Sequence, residues 1–423
     1  MNTELFLQML QIDSTSGREG ELASFLEKRL TTSACIVEKF PVESMAGDCP
    51  EGCQPPCNLL FRWGTPKVVF CTHLDTVPPY IAPIVDVSGE AGTSFHGRGT
   101  CDAKGQIFSM YEACLELEKC GHTDFGLLLL AGEETGSFGA KAFNNIFSQN
   151  NFEDDCVVNK DSSEAAAGSG ISLGEIRKDE KAAGLCVDKV RMPLRAVVED
   201  DWVVIVGEPT DNCMASAAKG TKSFEVEFEG EAFHSGYPQY GRSAVLMFND
   251  FVNALRSIVF PQDEVLGETT WNIGKLHSDN PQNIISDRLT CRVYFRTTFE
   301  TDEMVCNVMK NIAGPDAKLR FGKPKAQDGS DIVAKEVADW QRYMKVTAFG
   351  GDAPTRFEVL NGFPSKPVSF GSDAPQLKCF SRKILCGPGS ILVAHRDNEH
   401  ILLSDLETAI GNYIEIYKTI VNR

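Results

Sequence analysis

Three short apolar runs, Val68–Cys71, Leu127–Leu130 and Val203–Val206, stand out along the first half of the chain, and each ends within a few residues of an acid or a histidine. Runs this short that are apolar at every position predict strands buried on both faces, as in a parallel sheet covered by helices. The first leads to His73-Leu74-Asp75, the second to Gly132-Glu133-Glu134 and the third to Gly207-Glu208-Pro209. Open α/β sheets gather their chemistry at the carboxyl ends of the strands, so nitrogen and oxygen donors from distant segments are expected to meet there in one polynuclear metal site. Helical spacing appears at Leu22, Phe25, Leu26 and Leu30, behind Ser16-Gly17-Arg18-Glu19, which has the form of a capping box. A second such box, Ser404 to Glu407, precedes the stripe Leu406, Ile410, Tyr413 and Tyr417.

The period changes at about Ala217. Ser223 to Glu229 alternates polar and apolar, a helix is predicted over Ala244 to Ile258, strands near Thr269 to Leu276 and Leu289 to Arg296, and a helix after Thr301. This β-α-β-β-α-β order predicts a small antiparallel sheet with helices on one face. The expected fold class is therefore α/β, with a mixed, mainly parallel central sheet flanked by helices and an inserted α+β, ferredoxin-like unit. The main domain is placed at residues 1–215 and 326–423, and the inserted one at 216–325. The stretch from Asn151 to Asp201 is polar, mixed in charge and poor in aromatics, and reads as a long surface insertion.

At 423 residues, two or three domains are expected. A formal charge of −18 argues against nucleic acid or an anionic membrane as a partner, while leaving room for a small anionic substrate in a local cationic pocket. No apolar run approaches a membrane span, and the first residues lack a basic region followed by an apolar stretch, which points to the cytoplasm. The fifteen cysteines are irregularly spaced, and those inside apolar patterns, such as Cys71, Cys114 and Cys291, read as small packed hydrophobes. Cys49, Cys53 and Cys57 raise a structural zinc, but the spacing is wide and a fourth ligand is not evident, so a Pro/Gly-rich loop that carries thiols is preferred.

Each candidate site residue has a plainer alternative. His73 offers an imidazole ligand, and Asp75 could orient it by accepting the other ring N–H; an isolated histidine of this kind is more often structural. Asp102 lies in a glycine-rich turn, Gly97 to Gly105, where it could cap the following helix or face the crevice between two metals. Lys104 reads as a surface or turn residue. Glu133 and Glu134 repel unless a cation or proton intervenes, so one is expected to bind metal and the other to stand over a water.

These motifs, in this order, resemble a zinc hydrolase family that contains acetylornithine deacetylase, succinyl-diaminopimelate desuccinylase, aminoacylase and glutamate-releasing carboxypeptidases. The resemblance continues through Phe233-His234-Ser235-Gly236, Asn283, Arg296, Gly371-Ser372-Asp373-Ala374-Pro375, and Gly387-Pro388-Gly389 followed by Ala394-His395. It implies a zinc-exopeptidase-like fold and two Zn2+ ions, with Co2+ or Mn2+ able to substitute. His73 and Glu208 would hold one ion, Glu134 and His395 the other, and Asp102 would bridge them. Glu133 would be the general base and His234, reaching over from the lid of a partner subunit, an oxyanion donor; a homodimer is implied. Arg296 and Asn283, with Gly371 and Ser372, would contact substrate. His395 is preferred to His400 because it follows Ala394 after the Gly-Pro-Gly turn, and His96, His122 and His277 are left as structural or surface residues. Removal of an acyl group from an N-acylated amino acid is the first expectation, with N-acetylornithine the preferred substrate and arginine biosynthesis its setting. A dipeptidase or carboxypeptidase using the same metals is the alternative, and a non-catalytic amino-acid-binding relative the competing class.

Overall fold

The computed structural model describes residues 1–45, 49–89, 92–149, 202–321 and 337–422. The expected insertion at 151–201 lies outside the described residues. A six-stranded sheet forms the centre, in the spatial order Ile36–Pro41, Cys57–Gly64, Asp124–Leu130, Val68–His73, Val203–Val206, Arg382–Leu385. The last four strands run parallel to one another, and the first two add on antiparallel. The sheet is thus mixed and mainly parallel, as the apolar runs predict.

Successive side chains of a strand point to opposite faces, and the sheet has a core on each. Phe70, Leu127, Leu129, Val203, Ile205 and Ile384 face one cluster, while Val69, Cys71, Leu128, Leu130, Val204 and Val206 face the other. Continuous apolar runs follow, because no position is left for solvent. Helices Lys104–Lys119 and Leu403–Val421 contribute to the first cluster, with Leu406, Tyr413 and Tyr417 buried and Ile410 partly so.

A separate four-stranded antiparallel sheet, in the order Thr270–His277, Arg288–Thr297, Gly220–Glu229, Met344–Ala348, packs against helices Ala244–Ser257 and Asp302–Asn311. Its last strand lies beyond residue 325, where the sequence placed the end of this unit. Trp340 and Met344 share its core.

Neither capping box forms. Helix Glu19–Leu30 begins at Glu19 itself, with no side-chain cap from Arg18, and the Ser16 hydroxyl donates instead to Asp75 Oδ2 at 2.8 Å. Ser404 already lies inside helix Leu403–Val421, where its carbonyl accepts from the Thr408 hydroxyl. In both cases tertiary packing moved the helix start away from the locally favoured residue.

Candidate metal centre

The loops leaving the carboxyl ends of the four parallel strands supply His73, Glu133 and Glu134, Glu208 and, past Gly389, His395. His73 ends its strand and is buried. Its Nδ1 lies 2.9 Å from the Asp75 carbonyl oxygen and its Nε2 3.0 Å from Asp102 Oδ1. A carbonyl only accepts, so in the neutral ring Nδ1 carries the proton and Nε2 turns its lone pair toward the cleft.

Asp75 therefore orients His73 mainly through its backbone, not through its carboxylate as expected. The carboxylate Oδ1 is 3.5 Å from His73 Nδ1 but accepts the Glu133 N–H at 2.9 Å, and Oδ2 accepts the Glu134 N–H at 3.2 Å. One residue thus fixes both the imidazole and the turn that carries the two glutamates. That turn starts at Gly132, whose φ of 70° is left-handed and where an added Cβ would lie 2.4 Å from Met45 Sδ. Gly132→Ala is expected to lower stability by about 1–3 kcal/mol, through a disfavoured backbone conformation and crowding against Met45. Thermal unfolding of the two proteins side by side checks this; equal melting temperatures would show that the turn can reshape.

Asp102 is not a helix cap. The helix starts at Lys104, Ala103 precedes it without a side-chain cap, and the Asp102–Ala103 peptide is cis. The two carboxylate oxygens of Asp102 address different imidazoles: Oδ1 meets His73, and Oδ2 lies 3.3 Å from His395 Nε2. His395 Nε2 also lies 3.0 Å from Glu134 Oε1. One donor atom from each of His73, Asp102 and Glu208 lies within 4.8 Å of the others, and the same holds for Asp102, Glu134 and His395. Asp102 is common to the two triads. A further group of His73, Glu133 and Glu134 meets the same limit.

The electrostatics fit a cation in each triad. Burial pushes Glu133 and Glu208 well above the usual carboxylate range, and among the described residues neither pairs with a lysine or arginine. Burial also raises Glu134, against the pull of His395. Burial alone would raise Asp102 as well, but its hydrogen bonds with His395 and His73 outweigh that and hold it low. His395 is pushed up to about 10 by Asp102 and then Glu134. Burial opposes charge on His73, yet Asp102 and Asp75 outweigh it and raise the ring well above its ordinary range. Such a cluster is short of positive charge, and a hard or borderline divalent ion with N/O ligands matches its donors. Because ions replace those imidazole protons, loading the metal-free protein near neutral pH is expected to release protons, which a weakly buffered titration with an indicator dye reads; proton-neutral uptake would contradict the donor assignment.

A cleft of about 790 Å³ opens over the site, bordered by Glu133, Glu134 and His395 on one side and by Arg296, Gly371 and Ser372 on another. The Arg296 guanidinium is packed so close to Gly371 that a Cβ there would lie 3.4 Å from it. His234 and Asn283 are not brought to this cleft. Both are exposed, and they lie in adjoining segments: the Ser235 N–H donates to the Asn283 carbonyl at 2.9 Å.

Other expectations need correction or addition. Lys104 is fully buried, not a surface residue; its Nζ donates to the Ile12 carbonyl at 2.6 Å, and burial pushes its ammonium down to about 7. Among the described residues the cysteines at 49, 53 and 57 join no group with metal-ligand geometry, which leaves the loop reading. Cys101 is buried. Two acids were missed. Asp373, inside a motif already singled out, is buried and pushed up to about 7, chiefly by that burial. Glu399 is also buried, four residues beyond His395, and its spacing from that histidine was the one available signal.

The sequence model of peptidase family M20/M25/M40 matches residues 69–421. A probable carboxypeptidase of Aspergillus niger is 28% identical over 440 residues, which covers 98% of this chain and 88% of that relative. A tripeptidase from Staphylococcus aureus shares the fold with a TM-score of 0.68 at 16% identity, over 100% of this chain and 98% of the other. An M20 family metallo-carboxypeptidase from Sulfolobus solfataricus does so with a TM-score of 0.62 at 14% identity, over 100% of both chains. Among the described residues no helix is long and apolar enough to cross a membrane.

Proposed function

The chain belongs to peptidase family M20/M25/M40 and is a hydrolase of amide bonds, and from that premise we propose that it is a metal-dependent carboxypeptidase or dipeptidase acting next to a free carboxylate. The observation that carries this reading is the single carboxylate of Asp102 shared by two donor triads, with Glu133 and Arg296 lining the same cleft. The relative at 28% identity is a probable carboxypeptidase, so the preference moves from N-acetylornithine to peptides. The cleft volume of about 790 Å³ is compatible with a small peptide.

His73, Asp102 and Glu208 would hold one ion and Asp102, Glu134 and His395 the other, with zinc the expected metal. When bound, the pair supplies a lowered water pKa and a polarised carbonyl. Glu133 would take the proton of the attacking water and hand it to the departing amine. Asp75 keeps Glu133 in place by accepting its backbone N–H. Arg296 would grip the substrate's carboxylate with two charge-assisted hydrogen bonds. Gly371 lies next to that guanidinium, and Ser372 lines the same cleft.

The exposed positions of His234 and Asn283 support a second copy of the chain as the way these residues reach a site. Phe233, Tyr237 and Tyr240 are exposed around His234, an apolar surface suited to such a contact.

Arg296→Ala is expected to raise KM by about 10–100-fold for peptides with a free carboxyl terminus, the equivalent of one lost charged hydrogen-bond pair. Peptides ending in an amide should be poor substrates for the parent and no worse for the variant. An equal loss on both would remove the carboxylate role. The overall test is a substrate screen of the zinc-loaded chain against dipeptides, longer peptides, N-acetylornithine and succinyl-diaminopimelate. Turnover of N-acetylornithine alone would restore the deacetylase reading, and tight binding without cleavage of any of them would favour a non-catalytic relative.

A further inference from the structure

Glu399 has no role in the account so far, yet it is 1% exposed, and a buried carboxylate needs partners. It has several, and all belong to one turn. Oε1 accepts the N–H of Cys101 at 3.0 Å and of Asp102 at 3.1 Å. Oε2 accepts from Arg98 Nη1 at 2.7 Å. The Glu399 carbonyl accepts the Gly97 N–H at 3.0 Å, and Arg98 Nη1 also donates to the Arg396 carbonyl at 3.2 Å. Arg98 itself is 2% exposed, and its Nε donates to the Pro79 carbonyl at 3.3 Å.

These contacts join two segments about 300 residues apart in sequence. One is the turn 97–102, which presents the Asp102 carboxylate. The other is the turn 395–399, which begins with His395. Asp102 has no helix-cap bond of its own to hold it, and His395 sits at a left-handed φ of 60° on an exposed loop. Without a tie between the two turns, each carboxylate oxygen of Asp102 would have to find its imidazole independently.

We propose that Glu399, braced by Arg98, is a positioning residue that locks the Asp102 turn to the His395 turn and so sets the geometry of the shared carboxylate. It acts through the backbone of Cys101 and Asp102 and touches neither substrate nor ion. The inference rests on the metal-centre reading above.

Glu399 and Arg98 must be changed together, since either one alone leaves a buried, unpaired charge. The double variant Arg98→Met with Glu399→Gln keeps an amide oxygen able to accept both N–H groups. The double variant Arg98→Met with Glu399→Leu keeps the volume and removes the acceptor. Cobalt titration followed by its visible absorption, on the metal-free full-length proteins, is expected to show parent-like affinity for the first pair and a loss of about 10–100-fold for the second. The absorption bands of the second should also change shape, which a role in stability alone would not produce. Parent-like affinity and spectrum in the Arg98→Met, Glu399→Leu protein overturn the lock. If the parent chain takes up no cobalt, the metal-centre reading itself fails, and the two failures are told apart by which protein shows them. Should the second pair not fold, amide hydrogen exchange on the metal-free parent decides: protection at Cys101 and Asp102 is expected, and rapid exchange of both overturns the proposal.

Discussion

Asp102→Ala is expected to leave a folded chain that retains neither ion after dialysis and hydrolyses its substrate more slowly by about 10⁴-fold or more. The size follows from the geometry. Asp102 is the one group common to both donor triads, so its removal takes a ligand from each. It also takes a close carboxylate from both imidazoles, at 3.0 Å from His73 and 3.3 Å from His395. Glu208→Ala and His395→Ala remove a ligand from one triad only and should each reduce metal content by less. Metal analysis of the dialysed variants, beside kcat/KM with zinc restored, checks the ranking. An Asp102→Ala protein that keeps both ions would detach this residue from the centre.

The second large effect belongs to Glu133. Glu133→Gln preserves the size of the side chain and its place on the Asp75-held turn but removes the basic oxygen. A loss of about 10²–10⁴-fold in kcat is expected, with metal content unchanged and KM moved little. Glu134→Gln, one residue on, should behave differently. That side chain meets His395 at 3.0 Å and belongs to the Asp102 triad, so metal affinity should suffer first. The pair of variants separates the two adjacent carboxylates by readout as well as by size. If Glu133→Gln lost metal and Glu134→Gln did not, the roles of the two would be exchanged.

Much of this site was legible in the sequence because its donors sit where strands end. Apolar runs without a polar partner face mark buried parallel strands, and the sheet order then brings His73, Glu133, Glu134 and Glu208 to one edge. Chemistry placed by strand ends needs only periodicity to be found. What stayed hidden depends on contacts distant in sequence. Ser16 was read as a cap because a hydroxyl three residues before a glutamate often finds a nearby N–H; here it finds Asp75 instead. Lys104 looked like a surface residue because its charge argues for solvent, and only the fold supplies the Ile12 carbonyl that receives it. Glu399 shows nothing beyond its spacing from His395, since its partners lie on a turn about 300 residues earlier. Strand Met344–Ala348 is hard to place for a similar reason: a single strand of that length fits either sheet until its neighbour Gly220–Glu229 is known.

The division between His73 and Asp75 carries a more general point about this centre. Asp75 was expected to work through its carboxylate on the imidazole, yet its carbonyl does that, and its carboxylate holds the Glu133–Glu134 turn. The imidazole and the two glutamates are thereby positioned by one residue. Glu399 does the corresponding job for the turn that carries Asp102. Preorganisation here is carried by backbone contacts, which do not depend on a metal being bound.

Anomalous diffraction at the zinc edge from crystals of the loaded protein tests the central claim most directly. Two peaks are expected, about 3.5–4 Å apart, one on each side of the Asp102 carboxylate, the first against His73 and Glu208 and the second against Glu134 and His395. A single peak, or a pair that Asp102 does not touch, would contradict it.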